Sequence, residues 1–243
     1  MNTFLFYRLL LAFLIADYLL QFDWLFRLRY EKRWGVFVHA GFHLLTTLLL
    51  CLPYLHHVWF FVAVALLQVA HGFFDKLKKQ NLWAFLGDQA FHVATLVGLA
   101  WLFGKLDPVD WLPAWLDVLW KDDYLVNLLS GLILASYAGM ILVNFANRTF
   151  RKPFVREQFS DYYRSSCLFG GLLAFSGVEL GLQLSPWFFA AAVLPAALFI
   201  WLARRPTDED GSFKGAYKLD YLWMLLWGAL WGAVVGLKLY PPS

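Results

Sequence analysis

Four pairs of polar residues, each spaced i, i+4, occur in successive apolar stretches of the first 93 residues. Their side chains are mostly imidazoles and carboxylates, the groups that bind metal ions and move protons in proteins. The pairs are Asp17 and Gln21, His39 and His43, His71 and Asp75, and Asp88 and His92. Residues four apart lie one turn apart on the same side of a helix, so each stretch presents one polar pair on one face.

Three interpretations of these pairs stay open at the level of sequence. The first is an interhelical hydrogen-bond network that holds the bundle together, although such networks usually use Ser, Thr, Asn or Gln rather than carboxylates. The second is a divalent-metal site, because His nitrogen with Asp oxygen suits zinc, with manganese and iron as alternatives. The third is a proton or cation pathway, for which Asp and His in membranes are well suited.

The metal interpretation gives most of these residues a role. The predicted ligands are His39, His43, His71, Asp75, Asp88 and His92. Asp17 and Asp88 are the candidate catalytic residues, because whichever carboxylate is not coordinated would act as the base toward a metal-activated water. Gln21, Lys76 and Gln89 are predicted to support the ligands without touching the metal. The ligands exceed the needs of one zinc ion, so a two-metal site is the alternative.

Eight apolar stretches position these pairs, and each is about as long as the 20 residues that cross a bilayer. They predict an all-α polytopic transmembrane bundle with spans at 4–24, 34–52, 57–75, 82–103, 124–147, 165–184, 186–203 and 220–240. Only Ser185 and Pro186 separate the sixth span from the seventh, so seven spans are the alternative.

The loops orient these spans, because Lys and Arg concentrate in cytoplasmic connections. The odd-numbered loops carry 16 of the 20 basic residues, which predicts that both termini lie outside. With that orientation all four polar pairs share one level in the cytoplasmic half, and we expect a single cluster. An uncompensated Asp inside a membrane helix costs about 2.5–3.5 kcal/mol, so its charge must be balanced there.

The composition excludes several classes of protein. Hydrophobic residues make up 61% of the chain and charged residues only 15%, which is typical of an integral membrane protein and not of a soluble domain. Cys51 and Cys167 lie far apart in apolar stretches, so no Cys-type zinc motif is present. The net charge of +3 is small, and no nucleic-acid partner is expected. The expected partners are membrane lipids and a lipid-like substrate; protein partners are left unassigned.

Four motifs in order resemble the signatures of the bacterial membrane family catalogued as domain of unknown function 3307. They are IADYLLQ at 15–21, HAGFH at 39–43, HGFFDKLK at 71–78 and FLGDQAFH at 85–92. The resemblance covers about residues 9–93, and the family's C-terminal region is echoed only weakly at 219–232. It implies a multi-pass protein of the inner membrane and no established activity. The family usually carries a His where this chain has Phe13, which argues against a full two-metal complement.

The two halves of the chain are predicted to differ. Residues 1–105 form a four-helix unit with the cluster, 106–123 form an outer interfacial loop or helix with Trp111, Trp115 and Leu119 on one face, and 124–243 form a second four-helix unit. The second unit mainly packs, because small-residue stripes let helices approach closely. Those stripes are Gly177 and Gly181 in the sixth span, and Gly228, Gly232 and Gly236 in the eighth.

The function expected from these features is metal-dependent hydrolysis of a lipid or lipid-linked substrate. The motivation is a His/Asp cluster at a depth that a lipid headgroup can reach. A cation or proton transporter using the same residues is the first alternative, and a non-catalytic scaffold or accessory subunit is the second.

Overall fold

The chain is all-helical, as predicted. The computed structural model describes residues 3–20, 23–32, 34–77, 81–108, 117, 121–150, 161–190, 193–194, 197 and 212–238, and no strand occurs among them. The helices are α1 (Thr3–Leu14), α2 (Asp23–Glu31), α3 (Gly35–Leu50), α4 (Val58–Leu77), α5 (Leu82–Leu102), α6 (Asp123–Ile133), α7 (Gly139–Phe150), α8 (Asp161–Gln183) and α9 (Ser212–Gly236). A π-helical turn, Ile15–Leu19, follows α1, and another, Leu134–Ala138, joins α6 to α7.

Four helical segments are long and apolar enough to cross a membrane: Val58–Asp75, Leu82–Leu102, Asp123–Phe150 and Leu219–Gly236. Two shorter apolar segments are Gly35–Leu50 and Cys167–Gln183. Each predicted span except the seventh coincides with a helix in the described residues. Most of the seventh span and most of the predicted interfacial helix at 111–120 lie outside the described residues. The number of spans and the outside location of both termini stay predictions.

The helix at the first predicted span, 4–24, is shorter than predicted: α1 and the π turn after it cover Thr3–Leu19. The chain leaves the helix at Leu20, and a separate helix, α2, begins at Asp23. The physical reason is charge: α2 carries Asp23, Arg27, Arg29 and Glu31 within one short segment, and four charged groups would be costly in hydrocarbon. The predicted basic loop after the first span is therefore largely helical.

The chain divides into two compact units, the first comprising residues up to Ser130 and the second beginning at Gly131. In the first unit α3 is central and packs against α1, α2 and α4, while α1 also packs against α5. The side chain of Asn81 caps α5 by accepting a hydrogen bond from the Ala84 amide at 2.8 Å, which fixes where that helix begins. The predicted division at residues 105 and 124 stays a prediction.

A buried ion pair joins α1 to the start of α6 within the first unit. The Arg8 guanidinium pairs with Asp123, and the two side chains are 1% and 13% exposed. Arg8 also donates to the Phe4 carbonyl at 3.2 Å and stacks 3.5 Å from the centroid of the Phe4 ring. The sequence pattern indicates no structural role for either charged residue.

We expect Asp123→Ala to destabilise the protein by about 3–5 kcal/mol, because removing one partner leaves the other charge buried. The melting temperature in detergent should fall by about 10 °C. Asp107→Ala, the same change at an exposed position, is the control and should leave the transition in place. Equal melting temperatures for the two variants would contradict a stabilising role for the ion pair.

In the second unit, α8 and α9 are in backbone contact along a row of glycines. A Cβ added at Gly228 would lie 2.3 Å from the Gly171 carbonyl oxygen, and one at Gly232 would lie 2.4 Å from the Phe175 carbonyl oxygen. At Gly236 an added Cβ would lie 3.2 Å from the Glu179 Cα. The glycine stripe of α9 thus packs against α8, whereas a Cβ added at Gly181, in the predicted stripe of the sixth span, would lie 2.9 Å from the Phe189 ring instead.

The second unit also holds a polar contact that the sequence pattern does not predict. Asn147 donates to Asp220 Oδ2 at 2.8 Å, and both residues are buried. The Trp227 indole donates to the Leu134 carbonyl at 2.7 Å, which satisfies an oxygen of the second π turn. Asp220 and Glu179 are both buried acidic residues of this half.

Candidate metal centre

Three histidines from two adjacent helices form the centre of the site. His39 and His43 lie one turn apart on α3, and His71 lies on α4, which packs against it. All three are buried, and each offers a ring nitrogen within 4.8 Å of the others. A Cβ at Gly72 would lie 3.2 Å from the Phe37 ring, so α4 approaches α3 closely beside His71. The three imidazoles lie close enough together to hold a metal ion.

A carboxylate from the π turn after α1 completes a compact triangle with the two α3 histidines. Asp17 Oδ1 lies 3.3 Å from His39 Nε2 and 3.7 Å from His43 Nε2, and the two nitrogens are 3.2 Å apart. Two ligands at zinc-binding distances in a tetrahedral arrangement are separated by about 3.3–3.4 Å. The spacing of these three atoms is therefore close to one face of a zinc coordination tetrahedron.

A glutamine on α5 links the two candidate catalytic carboxylates. Gln89 Nε2 donates to Asp17 Oδ2 at 3.4 Å and to Asp88 Oδ2 at 3.3 Å. Its Oε1 accepts a hydrogen bond of 2.7 Å from the Tyr18 hydroxyl. The other oxygen of each carboxylate faces an imidazole: Asp17 Oδ1 faces His39, and Asp88 Oδ1 lies 3.5 Å from His92 Nε2. Gln89 thus orients both carboxylates toward the histidines.

An arginine from α2 enters the other side of the site. Arg29 pairs with Asp75, and its Nη1 lies 3.4 Å from His39 Nε2. The arginine side chain is only 7% exposed, although the sequence predicts it in a cytoplasmic loop. Asp75 Oδ2 lies 3.4 Å from His71 Nε2 and 3.8 Å from His39 Nε2. Asp75 therefore lies between the arginine and the histidines.

His92 lies at the edge of the cluster, against an apolar wall. Its ring centroid is 4.5 Å from that of His71 and 4.6 Å from that of Phe13. Phe13 also faces His43, with the centroids 5.8 Å apart. Nε2 of His92 and Nε2 of His71 are buried, and neither has a hydrogen-bond partner of good geometry among the described residues. Both nitrogens are thus suited to bind a further group.

The structure brings together most of the residues that the sequence pattern indicates. Those in the cluster are Asp17, His39, His43, His71, Asp75, Asp88, Gln89 and His92. Gln21 and the side chain of Lys76 lie outside the described residues. His56 and His57, at the connection between α3 and α4, contact the carbonyls of Pro53 and Asp107 instead. The roles given to the individual residues stay predictions.

Two residues of the site, Tyr18 and Arg29, are not predicted by the sequence pattern. Tyr18 follows Asp17 directly and lies in the π turn, a feature often found at functional sites, but π turns leave no reliable signal in sequence. Arg29 contributes to the predicted topology only as a charge that sets orientation in the membrane. Its spacing from the other charged residues of α2 gives no indication that it turns toward α3.

Comparison with known proteins matches a family to the first unit. Residues 5–112 match the profile of a family described as "Protein of unknown function (DUF3307)". The matched range contains all four motifs, so the resemblance expected from them is confirmed. No curated protein and no solved structure matches the chain.

Proposed function

We propose that the first unit holds one divalent metal ion, zinc in the first instance, in a site that catalyses hydrolysis of a lipid or lipid-linked substrate near the cytoplasmic face. The observation that carries the proposal is the triangle of Asp17 Oδ1, His39 Nε2 and His43 Nε2, with sides of 3.2, 3.3 and 3.7 Å. His71 is the proposed fourth ligand, because its buried Nε2 makes no hydrogen bond within the described part of the chain.

The charges of the cluster support a single divalent ion. Asp17, Asp75 and Asp88 supply three carboxylates to the cluster, and the Arg29 guanidinium pairs with Asp75. With neutral imidazoles, these four groups leave a net charge of −2. A divalent cation held by the imidazoles would offset the negative charge of these four groups, since buried charges are generally paired or bound to metals. The imidazole side chains can offset the negative charge only if they are protonated.

The proposed reaction gives the three carboxylates of the site different roles. A divalent ion held by Asp17, His39, His43 and His71 would supply Lewis-acid chemistry for the hydrolysis of an ester or phosphoester bond. Asp88 accepts the proton from the water, because Asp17 has the spacing of a ligand and Asp75 pairs with Arg29. Gln89 holds Asp88 in place, and His92 Nε2 lies 3.5 Å from the other oxygen of Asp88. The proton taken from the water would pass from Asp88 to the leaving group as its bond to the substrate breaks and the water oxygen bonds in its place. Substitution of each of these residues tests the role assigned to it.

Metal analysis of the detergent-purified chain tests the proposal most directly. We expect about one zinc per chain, removed by a strong chelator and restored by zinc with recovery of the melting temperature. Bound ligand stabilises the folded state by about 2.7 kcal/mol at 100 times its dissociation constant, so the loss should be visible in thermal unfolding. Sub-stoichiometric metal together with a melting temperature that neither chelator nor zinc changes would refute the site.

The transporter alternative rests on the same cluster and is separated by Asp88→Asn. In a hydrolase the variant keeps its zinc and loses turnover of a phospholipid or lipid-linked substrate by about 100-fold or more, because the general base is gone. In a transporter the variant instead abolishes zinc or proton flux in proteoliposomes. Flux by the wild-type chain without any hydrolysis would favour transport over the proposed reaction.

A further inference from the structure

The side-chain amide of Gln89 on α5 makes hydrogen bonds at both of its ends. Its Nε2 atom lies 3.4 Å from Asp17 Oδ2 and 3.3 Å from Asp88 Oδ2, and its Oε1 atom accepts from the Tyr18 hydroxyl at 2.7 Å. A primary amide carries two N–H donors at one end and an acceptor oxygen at the other. The reverse orientation would point that oxygen at two carboxylates, so only one orientation of the amide satisfies all three partners.

The Tyr18 hydroxyl supplies the donor for the amide oxygen, and packing fixes the position of its ring. Tyr18 is only 6% exposed, and its ring meets the Phe13 ring edge-on, with the centroids 6.4 Å apart. Asp17 and Tyr18 are consecutive residues of the π turn, and Gln89 contacts both of them. The three residues therefore form a closed ring of contacts, in which Tyr18 holds the amide and the amide holds Asp17.

Asp17 is the proposed ligand that depends most on such support. A carboxylate has two oxygens that can bind an ion, whereas a neutral imidazole has one nitrogen with a lone pair. Oδ1 of Asp17 faces His39 and His43, and Oδ2 receives the donor from Gln89. The amide thus directs Oδ1 toward the position proposed for the ion. Removing a hydrogen bond to a ligating group typically weakens metal binding by about 10–100-fold.

We propose that Tyr18 is a positioning residue of the metal site, which acts through Gln89 to keep Oδ1 of Asp17 directed at the ion. The inference rests on the proposed metal site and gives it a support that touches neither the ion nor the substrate. Tyr18 and Gln89 are both uncharged, so removing their polar groups leaves the net charge of the cluster as it is. A change in metal affinity would therefore be an effect of geometry.

The test uses the full chain in detergent with Co²⁺ alone as the probe, because the cobalt d–d spectrum reports both affinity and coordination geometry. Tyr18→Phe removes the hydroxyl, and Gln89→Met removes the amide but keeps a side chain of similar length. The double variant shows whether the two residues act through one another. Tyr54→Phe is the control, since it removes the hydroxyl of another buried tyrosine, whose ring packs against Phe60.

We expect Gln89→Met to weaken Co²⁺ binding by about 10–100-fold, the range for a group that supports a ligand. Tyr18→Phe should weaken it by about 3–10-fold, as for one neutral hydrogen bond, and should change the d–d spectrum. In the Gln89→Met background Tyr18→Phe should add less than about twofold. Tyr54→Phe should have the affinity and the spectrum of the wild type.

Wild-type affinity and spectrum in Tyr18→Phe would overturn the inference and leave the metal site standing. Equal weakening by Tyr18→Phe in both backgrounds would also overturn it, because the hydroxyl would then act elsewhere than on Gln89. Equal weakening by Tyr54→Phe would do the same, since it indicates a general loss of stability. Wild-type affinity in Gln89→Met would overturn it whether or not Tyr18→Phe folds. No cobalt binding by the wild type would overturn the metal site and the inference with it.

Discussion

His43→Ala is expected to weaken zinc binding by at least about 100-fold. The apparent binding free energy of zinc in protein sites is about 10–16 kcal/mol, or about 3 kcal/mol for each of four ligands. Losing one ligand should therefore weaken binding by at least about 100-fold. The variant also loses the ring that lies 4.6 Å from the centroids of both His39 and His71. A zinc titration followed by thermal unfolding should show the rise in melting temperature at a zinc concentration at least about 100-fold higher for the variant than for the wild type.

The matched control for this experiment is His57→Ala, which removes an imidazole that contacts the Asp107 carbonyl and not the cluster. It should bind zinc like the wild type. The metal-free melting temperature of His43→Ala shows whether the variant folds, and the interpretation needs only that a transition is present. Unchanged zinc affinity in a folded His43→Ala protein would remove this residue from the coordination set and favour a hydrogen-bond network as the role of the cluster.

The second large effect is expected from Gly228→Ala in α9. Alanine in place of glycine normally stabilises a helix by up to about 1 kcal/mol. Here the added methyl group would lie 2.3 Å from the Gly171 carbonyl oxygen, so α8 and α9 must separate. We expect a net destabilisation of about 3 kcal/mol or more, the upper range for overpacking. Thermal unfolding followed by tryptophan fluorescence reports on it, because α9 contains Trp223, Trp227 and Trp231.

Gly98→Ala on α5 is the control, since a Cβ at that position meets no described atom within 4 Å. It should be neutral or slightly stabilising by its helix propensity. The opposite signs expected for one substitution at two helical glycines make the test independent of propensity scales. If the Gly228→Ala protein were as stable as the Gly98→Ala protein, α8 and α9 would lie further apart than the 2.3 Å between an added Cβ and the Gly171 carbonyl oxygen indicates.

The central part of the site could be predicted because it depends on two regular features, the four-residue spacing within each helix and the alternating direction of successive helices. A spacing of four residues places His39 and His43 on one face, and the same spacing does so for Asp88 and His92. Alternating helix direction, inferred from loop charges, then brings the pairs to one level. Neither step needs knowledge of which helices are neighbours, so most of the residues that meet in the structure could be found from the sequence alone.

Residues outside these pairs depend on contacts that sequence periodicity does not encode. Arg29 reaches His39 because Gly35 admits the backbone of α2, yet glycine also occurs at helix starts where no second backbone approaches. Arg8 resembles an isolated cation in an apolar stretch, and its partner Asp123 is 115 residues away. Long-range pairing of single charges is set by helix packing, which the pattern of one helix cannot specify.

The π turn at Ile15–Leu19 changes the phase of the helix that α1 begins. Its wider hydrogen-bonding ring takes in one extra residue, and one residue corresponds to a rotation of about 100° in a regular α-helix. The helical faces before and after the turn can therefore be set independently: Arg8 meets Asp123, while Asp17 meets the α3 histidines and the next residue, Tyr18, meets Gln89 of α5. A deletion of one residue here would bring the two segments back into phase and turn Asp17 out of register with the histidines, although every chemically important side chain would still be present.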